Sequence, residues 1–232
     1  MTDPLDADAA AVIVFTGGDR VPSWVASELP ADACVIAADS GVDHALALGF
    51  QVDLAVGDFD SVSVDGLGRI EAEGATIERH AAAKDETDFE LALDRAVRLR
   101  PERIIVVGGH GGRIDHFLAN ALVLASPRYA EPGVSIEAWF GEGRVHVVRV
   151  ALEIEGEPGD LVSLLPVGGP ARGIRTRGLL YPLSDETLEP GSSRGVSNEQ
   201  VDQVATITLA QGTLLVVRPG ERGTHVLGRQ SD

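Results

Sequence analysis

The chain has 232 residues, enough for one large domain or two modest ones, and is 44% apolar, 24% charged and only 4% aromatic. Its formal net charge of -17 comes without a Lys/Arg run, which excludes the basic footprint that nucleic-acid binding requires. An acidic protein still binds phosphates where a divalent cation bridges them to carboxylates, and its field favours a cationic small substrate.

Residues 1–11 are acidic and Ala-rich, unlike a basic-then-apolar secretory leader. No stretch approaches the roughly 20 apolar residues that span a bilayer. A soluble cytoplasmic protein with no membrane or nucleic-acid partner is therefore expected. The single cysteine, Cys34, falls in the run Cys34-Val35-Ile36-Ala37-Ala38 and reads as a buried strand residue.

Short apolar runs at 11–15, 34–38, 54–56, 75–79, 103–107 and 134–140 predict strands. Helical patterns at 22–28, 42–48, 64–73, 87–99 and 116–124 lie between them. The clearest carries Phe89, Ala92, Leu93, Ala96 and Val97 on one face. This alternation predicts a three-layer α/β domain with a mainly parallel sheet over residues 1–142. Beyond it, short segments at 144–150, 160–165, 171–176, 205–209 and 213–217 are punctuated by Gly/Pro clusters. They predict an all-β sandwich or small barrel over residues 143–232.

In open α/β sheets, ligands bind beyond the carboxyl ends of the strands. Five strand ends here carry polar chemistry. Thr16-Gly17-Gly18-Asp19 and Asp39-Ser40-Gly41 follow the first two. Gly57-Asp58-Phe59-Asp60-Ser61 presents two carboxylates on one side of an extended segment, a donor set for a hard cation such as Mg²⁺. The same pattern suits a solvated acidic turn, with Asp60 or Ser61 capping the next helix. Lys84-Asp85-Glu86-Thr87-Asp88 offers Lys84 to a phosphate and Asp88 to a metal, with Asp85 as helix N-cap and Asp88 its partner in the capping box. Gly108-Gly109-His110-Gly111-Gly112-Arg113-Ile114-Asp115-His116 lets backbone N–H groups approach phosphates at a helix N-terminus. There Arg113 is a bidentate donor and Asp115 can hold metal or orient a hydroxyl. The competing reading makes Asp115 an N-cap and the glycines a tight turn.

Neither a Walker A loop nor a Rossmann fingerprint is present. His44, His80, His110, His116, His146 and His225 lack zinc-ligand spacing, and no Gly-x-Ser-x-Gly elbow occurs.

Together, Ala38-Asp39-Ser40-Gly41, Gly57-Asp58-Phe59-Asp60-Ser61, Lys84-Asp85-Glu86-Thr87-Asp88 and Gly111-Gly112-Arg113-Ile114-Asp115-His116 resemble thiamine pyrophosphokinases in order and spacing. So do Gly178-Leu179-Leu180-Tyr181-Pro182-Leu183 and Gly195-Val196-Ser197-Asn198-Glu199. The resemblance implies an N-terminal α/β domain binding ATP and Mg²⁺ and a C-terminal β-sandwich binding thiamine. It also implies a homodimer with active sites at the subunit interface, and transfer of pyrophosphate from ATP to thiamine with release of AMP. By motif, Asp58, Asp60 and Asp88 are implied metal ligands, with Asp115 and Arg113 beside them in catalysis. Asp39, Lys84, Thr87, Gly111, Gly112 and His116 are implied nucleotide contacts; Tyr181, Ser197 and Asn198 are implied thiamine contacts. Two positions depart from the family pattern: Ser40, where glycine is usual, and Tyr181, where tryptophan is frequent. The alternatives are pyrophosphoryl transfer to another hydroxymethyl heterocycle, such as a pterin, and a non-catalytic nucleotide-binding protein on the same fold.

Overall fold

The structure is a computed structural model that describes Leu5 and residues 9–220; His225 and the end of the predicted second domain lie outside those residues. Contacts divide the chain into two units. The first runs to Gly141 and includes Val145–Val147; the second comprises Glu142–Arg144 and continues from Val148.

The first unit is built on β1 (Ala11–Thr16), β2 (Cys34–Ala38), β3 (Leu54–Gly57), β4 (Thr76–Arg79), β5 (Arg103–Gly108) and β6 (Ser135–Phe140). They align in the order β6-β5-β1-β2-β3-β4, every pairing parallel. The register sets the strand ends level, because Thr16 stands opposite both Ala38 and Gly108, and Ala38 opposite Val56. All the polar loops after these strands therefore leave from one edge.

Strands buried on both faces read as continuous apolar runs, which is why β1, β2 and β5 lack alternation. On one face Ile13, Phe15, Val35, Ala37, Ala55, Ile105 and Val107 pack with Val25, Val42, Ala45 and Ile70. Those four come from α1 (Val25–Glu28), α2 (Gly41–Ala47) and α3 (Val64–Ala72). α4 (Asp88–Arg98) packs against β1, β2 and β3. It buries Phe89, Ala92, Leu93 and Ala96, the face expected from the sequence. Each such buried Val, Leu, Ile or Phe side chain contributes about 1.5–3 kcal/mol relative to exposure.

Local chemistry starts these helices where they start. Ser63 accepts the Gly66 N–H at the head of α3 and is itself held by Asp43. In α4 the capping box is Thr87 with Glu90, so Asp88 is the first helical residue and the expected Asp85 cap is not used. The helix expected over 22–28 is a single turn from Val25, because Pro22 and Ser23 accept turn bonds instead. Cys34 opens β2 and is only half-buried, since the strand enters the core one residue later.

Among the described residues of this unit, one charged group is buried. Glu137 on β6 is 8% exposed. It accepts hydrogen bonds from Arg103 Nη2 at 2.5 Å and Trp139 Nε1 at 2.9 Å, and pairs with His146 Nδ1 at 3.2 Å.

The second unit is all strand among its described residues. β8 (Ala151–Glu155), β10 (Ala171–Arg177), β11 (Ser184–Leu188) and β13 (Val204–Thr208) form a sheet in the order β11-β10-β13-β8, following β7 (Gly143–Val148). β9 (Leu161–Pro166) pairs antiparallel with β12 (Asn198–Glu199) and with β14 (Leu214–Arg218). Ile154, Ile174, Leu188 and Ile207 from the first set share one core with Val162, Leu164, Leu214 and Val216 from the second. Of the sandwich and the small barrel that the sequence allows, this is the sandwich. β8 and β11 went unforeseen because both are edge strands, with exposed Glu and Asp interrupting the apolar alternation.

Candidate active site

A cleft of about 560 Å³ lies at the carboxyl edge of the parallel sheet, within the usual size of small-ligand sites. Of the predicted residues, Asp39, Asp58, Asp60, Thr87, Asp88, Gly111, Gly112, Arg113 and His116 line it.

Asp39 follows β2 with φ of 46° and Phe59 follows β3 with φ of 62°, a left-handed conformation uncommon for a residue with a Cβ. The kink at Phe59 corrects one expectation. Asp58 and Asp60 do not lie along an extended segment; the chain doubles back, so that the Asp60 N–H donates to Asp58 Oδ1 at 3.2 Å. Phe59 itself is buried in the core, with the Arg79 guanidinium over its ring at 5.1 Å. Ligand-type oxygens of Asp39, Asp58 and Asp60 lie within 4.8 Å of one another. The negative charge of Asp58, then that of Asp39, raises the Asp60 pKa. Ser61 donates to Asp39 Oδ2, while Asp39 Oδ1 is buried without a hydrogen-bond partner. An orphaned carboxylate oxygen among clustered acids fits a hard divalent cation.

The fourth acid, Asp88, is paired with Lys84 at 2.8 Å, and Lys84 also donates to the Ala81 carbonyl. The glycine loop is fastened to the β1 loop: Gly109 N–H donates to Gly17 O at 2.7 Å and Asp19 N–H to His110 O at 2.8 Å. Gly111 has φ of 79°, and the Asp19 carboxylate occupies the place a Cβ would take there. Ser40, the departure from glycine, lays its hydroxyl against Gly17, where a Cβ would collide with it. The absence of a Cβ at Gly17 thus leaves room for the Ser40 side chain.

Arg113 is the N-cap of α5 (Ile114–Leu124), which begins two residues earlier than the sequence predicts. Its guanidinium grips Asp115 through Nε at 3.1 Å and Nη2 at 2.5 Å. The hydrogen bond from Arg113 is the main reason that Asp115 is held at about 2. Asp115 does not line the cleft, nor does Lys84. Asn120 does, and sequence reasoning missed it. His116, Ala119 and Asn120 stand at i, i+3, i+4 on α5, a spacing that places them on one helix face.

Tyr181, Ser197 and Asn198 belong to the second unit. Tyr181 is 65% exposed and Ser197 is exposed with φ of 58°, whereas Asn198 is buried.

A parallel sheet carrying carboxylates and a glycine-arginine loop at its carboxyl edge, followed by a β-sandwich, defines a two-unit α/β-plus-β protein with a built ligand cleft. Residues 25–136 match the family model "Thiamin pyrophosphokinase, catalytic domain", and residues 146–214 match "Thiamin pyrophosphokinase, vitamin B1 binding domain". The thiamine pyrophosphokinase of Bacillus subtilis (strain 168) is 30% identical over 187 residues, covering 79% of this chain and 86% of the relative. Thiamine pyrophosphokinase 1 of Oryza sativa subsp. japonica is 23% identical, covering 88% and 86%. The crystal structure of the Bacillus subtilis enzyme superposes with a TM-score of 0.80 at 27% identity, covering 91% of this chain and 99% of that one. Thiamin pyrophosphokinase from Candida albicans shares the fold, with a TM-score of 0.74 at 15% identity over 89% of each chain. The chain belongs to the thiamin pyrophosphokinase family.

Proposed function

We propose that this protein transfers the pyrophosphoryl group of ATP to the hydroxyl of thiamine, giving thiamine diphosphate and AMP. The observation that supports it most is the convergence, in one cleft, of four acids with a glycine-arginine loop at a helix N-terminus. Asp39, Asp58 and Asp60, with Asp88 nearby, are the residues that would hold Mg²⁺. That ion, when bound, supplies charge neutralisation of the polyphosphate. The N–H groups of Gly111 and Gly112 and the Arg113 guanidinium take phosphate oxygens, while Lys84, outside the cleft lining, holds the Asp88 carboxylate in place. Such transfers pass through a loose transition state, so positioning and charge stabilisation dominate over base catalysis. The hydroxyl proton goes to Asp88, which lines the cleft. Asp115, clasped by Arg113 and outside the cleft lining, is not placed for that role.

We assign residues 1–142 to ATP and metal binding and residues 143–232 to thiamine, with Tyr181 and Ser197 forming the acceptor surface. The net charge of -17 favours a cationic thiazolium over a neutral pterin. A cytoplasmic setting suits a chain with one cysteine; among the described residues, no helix is long and apolar enough to cross a membrane. An assay for AMP with ATP, thiamine and magnesium tests the activity: thiamine-dependent AMP release is expected, and no AMP sinks the reading.

The chain is also proposed to work as a homodimer with active sites at the subunit interface. Ile114, Leu118 and Leu122 are 73%, 53% and 57% exposed, and they form an i, i+4, i+8 apolar stripe on α5 of a kind that subunit interfaces cover. Leu118→Glu is expected to shift the protein toward monomer in sedimentation velocity at micromolar concentration. An unchanged dimer would remove this stripe from the interface.

A further inference from the structure

Asn198 is implied by resemblance to touch thiamine, but its surroundings give it different work. The residue is 6% exposed. Its backbone pairs with Val162 on β9, while its side-chain amide turns to the 178–183 loop. Oδ1 accepts the Tyr181 N–H at 3.0 Å and Nδ2 donates to the Tyr181 carbonyl at 2.8 Å. Oδ1 also accepts the Glu199 N–H at 2.9 Å. Both acceptor positions of the amide oxygen are thus filled from within the protein.

The neighbouring register explains why an amide stands here. Leu179 bridges Gln200, Leu180 N–H donates to Glu199 O at 2.8 Å, and Val201 N–H donates to Gly178 O at 2.9 Å. Continued by one residue, this antiparallel ladder would set Tyr181 opposite the Asn198 main chain, which is already committed to β9. That position is a non-hydrogen-bonded one in an antiparallel ladder, so no main-chain group of Asn198 serves Tyr181. A carboxamide carries a donor and an acceptor side by side, and the Asn198 side chain takes both the Tyr181 N–H and its carbonyl. The loop is closed at its other end by Leu183 and Thr176: Thr176 N–H donates to Leu183 O at 3.0 Å, and Leu183 N–H to Thr176 Oγ1 at 2.8 Å. Leu179 and Leu183 are buried, while Leu180 and Tyr181 project outward. The loop is anchored on both sides of its one exposed aromatic residue.

We infer that Asn198 is a positioning residue for the acceptor. It fixes the Tyr181 main chain so that the phenol ring meets the substrate as a pre-set platform, and it makes no contact with the substrate itself. This rests on the reading of the 178–183 loop as part of the thiamine-binding surface. A rigid aromatic face suits a cationic heterocycle, and holding it beforehand lowers the ordering cost of binding.

The test is a double-mutant cycle on steady-state kinetics with thiamine and ATP. Asn198→Ala is expected to raise the thiamine KM about tenfold, the loss anticipated for two hydrogen bonds to one loop. The KM for ATP and kcat should stay within about twofold, since neither the nucleotide cleft nor the chemistry is touched. In a Tyr181→Ala background the same substitution should have almost no further effect. Hydrogen exchange of the Tyr181 amide should accelerate in Asn198→Ala. Asn198→Asp, which keeps the acceptor but sets a carboxylate oxygen against the Tyr181 carbonyl, should raise the thiamine KM at least as much and stands in if the alanine variant does not fold. Additive effects in the cycle would mean that Asn198 contacts the substrate directly, overturning the proposal; so would an unchanged thiamine KM in both single variants of Asn198. If the unmodified enzyme releases no AMP with thiamine, the acceptor assignment itself falls, and this proposal with it.

Discussion

Asp60→Asn is expected to lower thiamine-dependent AMP release by about 10²–10³-fold at fixed magnesium and to raise the magnesium concentration giving half-maximal rate. Asparagine keeps the shape of the side chain and removes its charge. The fold should not suffer. Asp60 is exposed, and its main structural bond here, to Asp58, is made by its backbone N–H. Its charge is repelled by Asp58 and Asp39, so neutralising it relieves strain among the acids and does not break a support. A stable protein with little activity and a shifted magnesium dependence is the expected combination, read from thermal melts beside a magnesium titration. Normal turnover with unaltered magnesium dependence would remove Asp60 from the metal site.

The second large effect concerns stability in acid. Burial alone would push the Glu137 carboxyl up. The hydrogen bond with His146, the charge of Arg103 and the Trp139 N–H outweigh burial and hold it at about 2. A carboxyl depressed in the folded state stabilises the protein above its unfolded value of 4.5. That stabilisation, on the order of 3 kcal/mol, disappears as pH falls from there toward 2. Glu137→Gln should flatten this part of the stability–pH curve. Glu137→Ala, which leaves Arg103 and the indole N–H without their acceptor, should cost about 3–5 kcal/mol at neutral pH. Urea denaturation at several pH values reads both. An unchanged acid slope in the Gln variant would show that Glu137 does not govern it.

What could be read in the sequence followed from how local each cause is. Buried parallel strands announce themselves as apolar runs, and α4 by its 3.6-residue period, so both were found within a residue or two. The cleft was legible because register brings five loops to one edge, each carrying its own polar signature. The edge strands β8 and β11 were not, since solvent on one side permits residues that mask the period. The Glu137 cluster joins positions 34 residues apart, and no local pattern records such a meeting. Positive φ at Phe59 accompanies a ring buried in the core, a tertiary circumstance, so the folding-back of Asp58 and Asp60 had no signal in a motif that also suits a straight segment. For Asn198, the residue was visible but its partner was not. A side chain that holds a loop's main chain looks, in sequence, like one that awaits a ligand.

Gly41, at the start of α2, has a further consequence. A Cβ there would lie 2.5 Å from the Phe15 carbonyl carbon and 2.8 Å from the Thr16 nitrogen, both main-chain atoms of the central strand. A clash with a side chain can be relieved by trimming that side chain, whereas a clash with a peptide group has no smaller version to mutate to. Position 41 is therefore one where suppressor screens should return only reversion to glycine. Evolutionary drift elsewhere in the core can exchange one hydrophobe for another, but the seating of α2 on β1, and with it the placement of Asp39 and Ser40, has no such latitude.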